Sequence, residues 1–224
     1  MEQIFALGVM PVTGEGSHHV GRDVLYRLAK RIFDIAFSAA VIVLGGWLFA
    51  LIALAIKVDD PSGPVLFKQL RVGKYGRTFR MWKFRSMRVG AEAEVTELMK
   101  YNEKDGPVFK MHDDPRITRV GKILRAHSLD ELPQFFNVLM GQMSVVGPRP
   151  GLPNECSSYN YYQAYRLSCK PGITSYWQVQ PDRDVISFDE WMRLDVLYLR
   201  TCSFLTDLRI IFQTVIAVFR AQGC

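Results

Sequence analysis

The chain has 224 residues, 28 of them lysine or arginine against 22 acids, with a formal charge of +6 and a pI near 9.2. That balance points to an anionic partner, whether membrane headgroups, nucleic acid or a phosphorylated substrate. Cys156, Cys169, Cys202 and Cys224 form no CxxC pair and no histidine stands at ligand spacing, so they read as small hydrophobes of a reducing cytoplasm, not as disulfides or a metal site.

Residues 1–21 carry Gly, Ser, Pro and Thr without periodicity and read as a weakly ordered tail. The His18-His19 pair, His112 and His127 are isolated, which fits surface or packing roles. From Arg22 to Arg31, Val24, Leu25, Leu28, Ile32 and Phe33 suggest a helix leading into Ile35–Ile56, a run of 22 residues without a charge. About 20 apolar residues reach across a hydrocarbon core, so residues 22–57 are expected to enter a membrane. Basic residues flank both ends, Arg22, Arg27, Lys30 and Arg31 before it and Lys57, Lys68, Arg71 and Lys74 after it. Such residues stay on the cytoplasmic side, and Gly45-Gly46 permit a kink in mid-segment. A re-entrant helix that bends and returns to one face satisfies both facts; a single spanning helix with a short translocated tail is the competing topology.

Turn chemistry over Lys57–Pro64 ends that segment. Residues 58–224, about 165 residues, are enough for one compact domain. Two β-favouring runs around Gly73–Gly76 predict a hairpin. It and its flank hold eight basic residues from Lys68 to Arg88, without an acid, interleaved with Tyr75, Phe79, Trp82 and Phe84. A solvated face is the ordinary reading of such a run, and anionic lipid attracts each charge by about 1 kcal/mol. A membrane helix next door argues against nucleic acid and leaves a phosphorylated substrate at the bilayer surface. From Ala91 a short exposed helix is expected. Asp113-Asp114 before Pro115 reads as a turn, with a divalent cation site as the alternative.

Gly121 to Met140 carries the candidate chemistry. Leu132, Phe135, Phe136, Leu139 and Met140 recur at helical spacing, and Pro133 fits only the first turn of a helix. Asp130 and Glu131 then sit at the helix start. Capping is the simpler reading of acids there, but the same geometry suits phosphate chemistry. Arg149 follows, framed by Pro148 and Pro150, and a fixed guanidinium matches a phosphate through two hydrogen bonds. Lys170–Thr174 with Trp177–Val179 reads as a turn and strand; Asp195, Tyr198 and an apolar helix over about 204–219 complete the chain. The expected fold is α+β, mainly α with a small β-hairpin: a membrane protein with a re-entrant or single spanning N-terminal helix and one cytosolic domain.

These blocks together resemble the bacterial monotopic phosphoglycosyl transferases, the polyprenyl-phosphate sugar-1-phosphate transferases. The matching stretches are KRIFD (30–34), KFRSM (83–87), DPRITRVGKILR (114–125), SLDELPQFFNVLMGQMSVVGPRP (128–150), KPGITSYWQV (170–179) and LDVLY (194–198), and the likeness covers about 190 residues. The resemblance implies that a UDP-sugar donates sugar 1-phosphate to undecaprenyl phosphate, releasing UMP. It makes Asp130 the nucleophile and implies an aspartyl-phosphosugar intermediate, with Glu131 beside Asp130 holding Mg²⁺. It implies that Arg149, with Arg125 and Lys83, binds phosphate. It also implies a monotopic protein with a catalytic domain, membrane lipid as a partner, the bacterial inner membrane as the location with the catalytic domain facing the cytoplasm, and a monomer or homo-oligomer. Where the family often carries Ser-Pro at the helix break, this chain has Gly46-Trp47, and Arg200–Ser203 lacks the Asn often found before the final helix. A silent membrane scaffold, and a phosphohydrolase built on Asp113-Asp114, are the alternatives from other classes.

Overall fold

The computed structural model describes residues 20–181 and 185–219. The expected tail up to residue 19, the His18-His19 pair and Cys224 lie outside them. Helix α1 spans Val20–Leu44 and α2 spans Gly46–Asp59, joined at Gly45 with a bend of 60°. Gly45 has φ −87° and ψ 0°, and a Cβ on it would lie 2.5 Å from the Val41 carbonyl oxygen. The helical bonds continue through the bend, Gly45 N to Val41 O at 2.9 Å and Phe49 N to Gly45 O at 3.0 Å. The kink expected at the paired glycines therefore belongs to Gly45; a Cβ on Gly46 would meet nothing within 4 Å. No single described helix is long and apolar enough to cross a membrane, and only the bent pair taken together has that character.

One side of this pair is sewn into the rest of the molecule. Phe37, Val41 and Ile42 pack on the cluster of Phe135, Val138 and Val145, while Ile52 and Ile56 are buried with Phe84 and Leu124. A fully buried side chain of this size, such as Ile52 or Ile56, contributes about 1.5–3 kcal/mol. Polar groups lock the register: Arg31 donates to the carbonyls of Val138 and Leu139, and Asp34 accepts from Ser144 Oγ and Val145 N. The opposite side leaves Leu28, Ile32, Leu44, Trp47, Leu54 and Val58 exposed.

The predicted hairpin forms from β1 (Leu66–Val72) and β2 (Thr78–Phe84), antiparallel with Leu70 opposite Arg80. Phe79 and Met81 point into the core while Arg80 between them is exposed, the alternation of a half-buried strand. The helix expected from Ala91 is shorter than the sequence suggests, α3 at Val95–Leu98 followed by one tighter turn at Met99–Tyr101. Helix α4 (Arg119–Ala126) is capped twice at its start, Thr118 Oγ1 accepting from Gly121 N and Asp59 at the end of α2 accepting from Val120 N. Helix α5 (Gln134–Leu139) follows, then β3 (Ser144–Val146). Short helices α6 (Pro153–Ser157) and α7 (Tyr161–Ala164) lead to β4 (Gly172–Thr174), which pairs parallel with β3. Trp177–Val179 lies in a turn beyond that strand. Helices α8 (Phe188–Thr201) and α9 (Phe204–Phe219) follow, α9 where an apolar helix was expected. The architecture is α+β.

Candidate active site

The two adjacent carboxylates sit in a tight turn, not on the helix that follows. Ser128 takes a left-handed conformation (φ 53°), and Glu131 N bonds back to Ser128 O at 3.2 Å. The turn Leu129–Glu131 ends against Pro133, which opens α5 as its fixed φ requires. Leu129 and Leu132 pack against the Ile52, Phe84 and Leu124 cluster, and Leu132 also touches the Phe135 cluster, so apolar contacts on both sides hold the turn. The acids expected at the start of the helix thus stand just before it, and no side-chain cap bond explains them.

Their surroundings divide the pair. Lys83 Nζ lies 2.8 Å from Glu131 Oε1, and Arg149 reaches the same oxygen at 3.1 Å. From Asp130 the Lys83 ammonium is 3.7 Å away, too far for a hydrogen bond. Burial opposes the charge of both acids. For Glu131 the two cations outweigh it and hold the carboxyl down at about 2. For Asp130 burial wins and pushes the carboxyl up, despite Lys83, with the Glu131 charge adding to the rise and Arg125 and Arg149 opposing it. Glu131 is a committed anion; Asp130 is a buried carboxylate with little holding it. All three predicted cations, Lys83, Arg149 and Arg125, act on this dyad.

Each cation is placed by groups far away in sequence. Lys83 is on β2, and the edge of β2 not paired with β1 is taken up by Asn137 of α5. Its Oδ1 accepts from Trp82 N at 3.0 Å and its Nδ2 donates to Arg80 O at 2.8 Å. Arg149 lies in an extended loop fastened at several points: Gly147 N to Thr174 O, Gly172 N to Pro148 O, Arg71 to Pro150 O, and Val72 N to Gly151 O. A Cβ on Gly172 would stand 2.1 Å from Gly147 N, so the β3–β4 junction admits only glycine there. Beneath the loop the buried Arg166 donates to the Arg149 carbonyl at 2.6 Å and to Tyr159 Oη at 2.7 Å, and pairs with buried Asp195 at 2.6 Å. Arg71 is itself partly buried, and that burial together with the nearby Arg149 charge pulls its guanidinium down to about 10.

Asn137, Arg166 and Arg71 were not singled out by sequence reasoning for this site. The available signal was a polar residue inside an apolar helical run, as Asn137 is in QFFNVL. Asp113 and Asp114 do not form a cation site: Asp114 is buried against Arg116 at 2.5 Å, while Asp113 is exposed beside His112. Among the described residues no group of three or more His, Cys, Asp or Glu is gathered to hold a metal ion.

Comparison with known proteins bears on the whole of this arrangement. A family model described as bacterial sugar transferase matches residues 25–221. Galactosyl transferase CpsE of Streptococcus agalactiae serotype III is 44% identical over 196 residues, covering 88% of this chain and 43% of that protein. A UDP-glucose:undecaprenyl-phosphate glucose-1-phosphate transferase of Klebsiella pneumoniae is 41% identical over 198 residues, covering 85% and 40%. An undecaprenyl-phosphate galactose phosphotransferase of Salmonella typhimurium is 40% identical over 204 residues, covering 88% and 42%. The chain spans about two fifths of the length of these three relatives.

Proposed function

The chain belongs to the bacterial sugar transferase family, and from that premise we propose that it moves a sugar 1-phosphate from a UDP-sugar to undecaprenyl phosphate, releasing UMP. Two of the relatives carry undecaprenyl phosphate in their names, and one of them names a UDP-sugar donor. The observation that carries the reading here is the asymmetry of the dyad. Glu131 is held by Lys83 and Arg149, and Asp130 beside it lacks a hydrogen bond among the described residues.

Asp130 attacks the β-phosphorus of the donor through a carboxylate oxygen. The bond from that phosphorus to the bridging oxygen breaks, UMP leaves, and the sugar phosphate stays on the aspartyl oxygen. An oxygen of the lipid phosphate then attacks the same phosphorus and returns the Asp130 carboxylate. Arg149 and Lys83 face the charge that collects on the phosphoryl oxygens, and Arg125 adds to the field from the end of α4. Mg²⁺ takes one or two carboxylates together with substrate phosphates. The donor set fits: both hydrogen bonds to Glu131 fall on Oε1, which leaves Oε2 and the Asp130 carboxylate to hold the ion. When bound it neutralises charge on the diphosphate.

The bent α1–α2 pair, basic on both flanks and apolar on its outer face, supports a re-entrant anchor. It would seat the domain on the cytoplasmic face of the bacterial inner membrane. The decisive assay supplies a panel of UDP-sugars with Mg²⁺ and undecaprenyl phosphate to the solubilised protein. One sugar should give lipid-dependent UMP that Asp130→Asn abolishes, and Arg149→Ala should lower turnover by about 10²–10³, as loss of one charged donor does elsewhere. Absence of UMP from every donor would return the chain to the scaffold reading.

A further inference from the structure

Gly141 follows helix α5 in a left-handed turn (φ 78°), and two cations from distant parts of the chain converge on it. A Cβ on Gly141 would lie 3.4 Å from Arg31 Nη2 and 3.6 Å from Lys170 Nζ, so the two heads are at most 7.0 Å apart. Arg31 reaches this point from the domain side of α1, where it donates to the Val138 and Leu139 carbonyls. Lys170 stands just before β4, and the carbonyl of the next residue, Pro171, accepts from Ser144 N at 2.8 Å. A third cation, Lys74, belongs to the hairpin tip. Gly73 beside it lines one crevice with Cys169 and Pro171, the two neighbours of Lys170.

The positive charges here are not balanced. Among the described residues neither Lys74 Nζ nor Lys170 Nζ has a hydrogen bond or an ion pair, and Lys74 lies over the Tyr75 ring at 4.6 Å. Lys170 is half-buried. Burial and the Arg31 charge pull its ammonium below the ordinary value, Lys74 adds to the fall, and Asp34 opposes it. Asp34 is already engaged, its Oδ1 accepting from Ser144 Oγ and Val145 N. Like charges held this close repel, and half-buried groups are screened less than exposed ones. A bridging oxyanion removes that repulsion. The donors also match a phosphate: each ammonium offers three N–H groups, and Arg31 has five, of which two serve carbonyls. The cations paired with the dyad are others, Lys83 and Arg149.

We propose that Arg31, Lys74 and Lys170 form a second anion site, which takes a phosphate group where α1, the hairpin tip and the start of β4 meet. The group is a phosphate, free or in a lipid headgroup. This inference does not depend on the transferase reading, and its test needs no turnover.

The test is thermal unfolding of the full chain in detergent, with inorganic phosphate against sodium chloride of equal ionic strength. A ligand of the folded state raises Tm, by about 3–6 °C at ten times its Kd for a chain of this size. Phosphate that binds at the dyad raises every variant alike, so the site is read from differences between variants. Lys170→Gln should weaken the phosphate response about tenfold in Kd, the expected effect of removing a charged partner. Gly141→Asp sets a carboxylate between the two heads and should abolish the response that Lys170→Gln weakens. Gly141→Asn places the same Cβ without the charge, both residues tolerate the left-handed turn, and it should keep the response. Equal phosphate responses in wild type, Lys170→Gln and Gly141→Asp would overturn the proposal. So would a loss in Gly141→Asn as complete as in Gly141→Asp, which would make the effect one of backbone and not of charge. Dihexanoyl phosphatidic acid in place of inorganic phosphate distinguishes the source. A Kd at least tenfold lower assigns the site to a lipid headgroup, and an equal Kd to a soluble phosphate.

Discussion

At Asp114 burial opposes the charge, but hydrogen bonds from the Arg116 side chain and backbone N–H outweigh it and hold the carboxyl below its ordinary range. A carboxyl whose folded pKa is depressed contributes stability above its unfolded pKa, and that contribution is lost on acidification through the folded value. Asp114→Asn should therefore be less stable than wild type by about 1–3 kcal/mol at pH 7. In urea unfolding the difference should shrink below about pH 4; a gap constant with pH would contradict the assignment. Arg166 gives a second case. Arg166→Met leaves Asp195 buried and unpaired, a loss of about 3–5 kcal/mol, and adding Asp195→Leu should restore much of that stability. Turnover should stay low in the double variant, because the Arg149 carbonyl has still lost its donor; recovery of turnover along with stability would make Arg166 purely structural. Asp130, Glu131, Arg149 and Lys83 were legible because they stand in short motifs with a chemical logic of their own. Asn137 and Arg166 were not, since Asn137 meets Arg80 across 57 positions and Arg166 meets the Arg149 carbonyl across 17.

Among the elements, the α1–α2 bend is the one whose cause is narrowest. Alanine favours helix over glycine by about 1 kcal/mol, so two adjacent glycines in an apolar helix invite replacement. At Gly46 nothing stands in the way, and Gly46→Ala should raise stability by up to about that amount. At Gly45 the added Cβ meets the Val41 carbonyl at 2.5 Å, so Gly45→Ala must shift backbone, a cost of about 1–3 kcal/mol. Thermal unfolding in detergent compares the two; equal effects would mean that the bend is not fixed at Gly45. The hairpin and α9 were readable because alternation and helical spacing persist long enough to register. Strands β3 and β4 have three residues each and pair in parallel across a long connection, too short for a pattern to betray them. The helix expected from Ala91 shrinks because a segment this short is marginal unless an apolar face packs, and neither Val95–Leu98 nor the turn after it has a buried residue.

Across the whole molecule, early and late parts of the chain meet at one buried acid. Asp207 of α9 accepts from Tyr26 Oη at 2.8 Å and Lys30 Nζ at 2.7 Å, both on α1, and from Tyr198 Oη on α8 at 2.8 Å. Tyr198 also lies 3.2 Å from the Val146 carbonyl of β3. Nothing here touches the dyad, yet α1 reaches it by two routes. Arg31 holds the carbonyls that end α5, and Asp34 holds β3, which runs directly into the Arg149 loop. Asp207→Ala leaves Lys30 partly buried without its partner, and about 3 kcal/mol or more of stability should go with it. The loss should be uneven. Hydrogen exchange should quicken along α1 and at β3, and turnover should fall with the ordering of Arg149, while the β1–β2 hairpin and α4, joined to α2 by separate contacts, keep their protection. Uniform acceleration across the chain would make Asp207 a contributor to global stability alone. Local acceleration would make α1 a structural support of the Asp130–Glu131 turn as well as one half of the bent apolar pair.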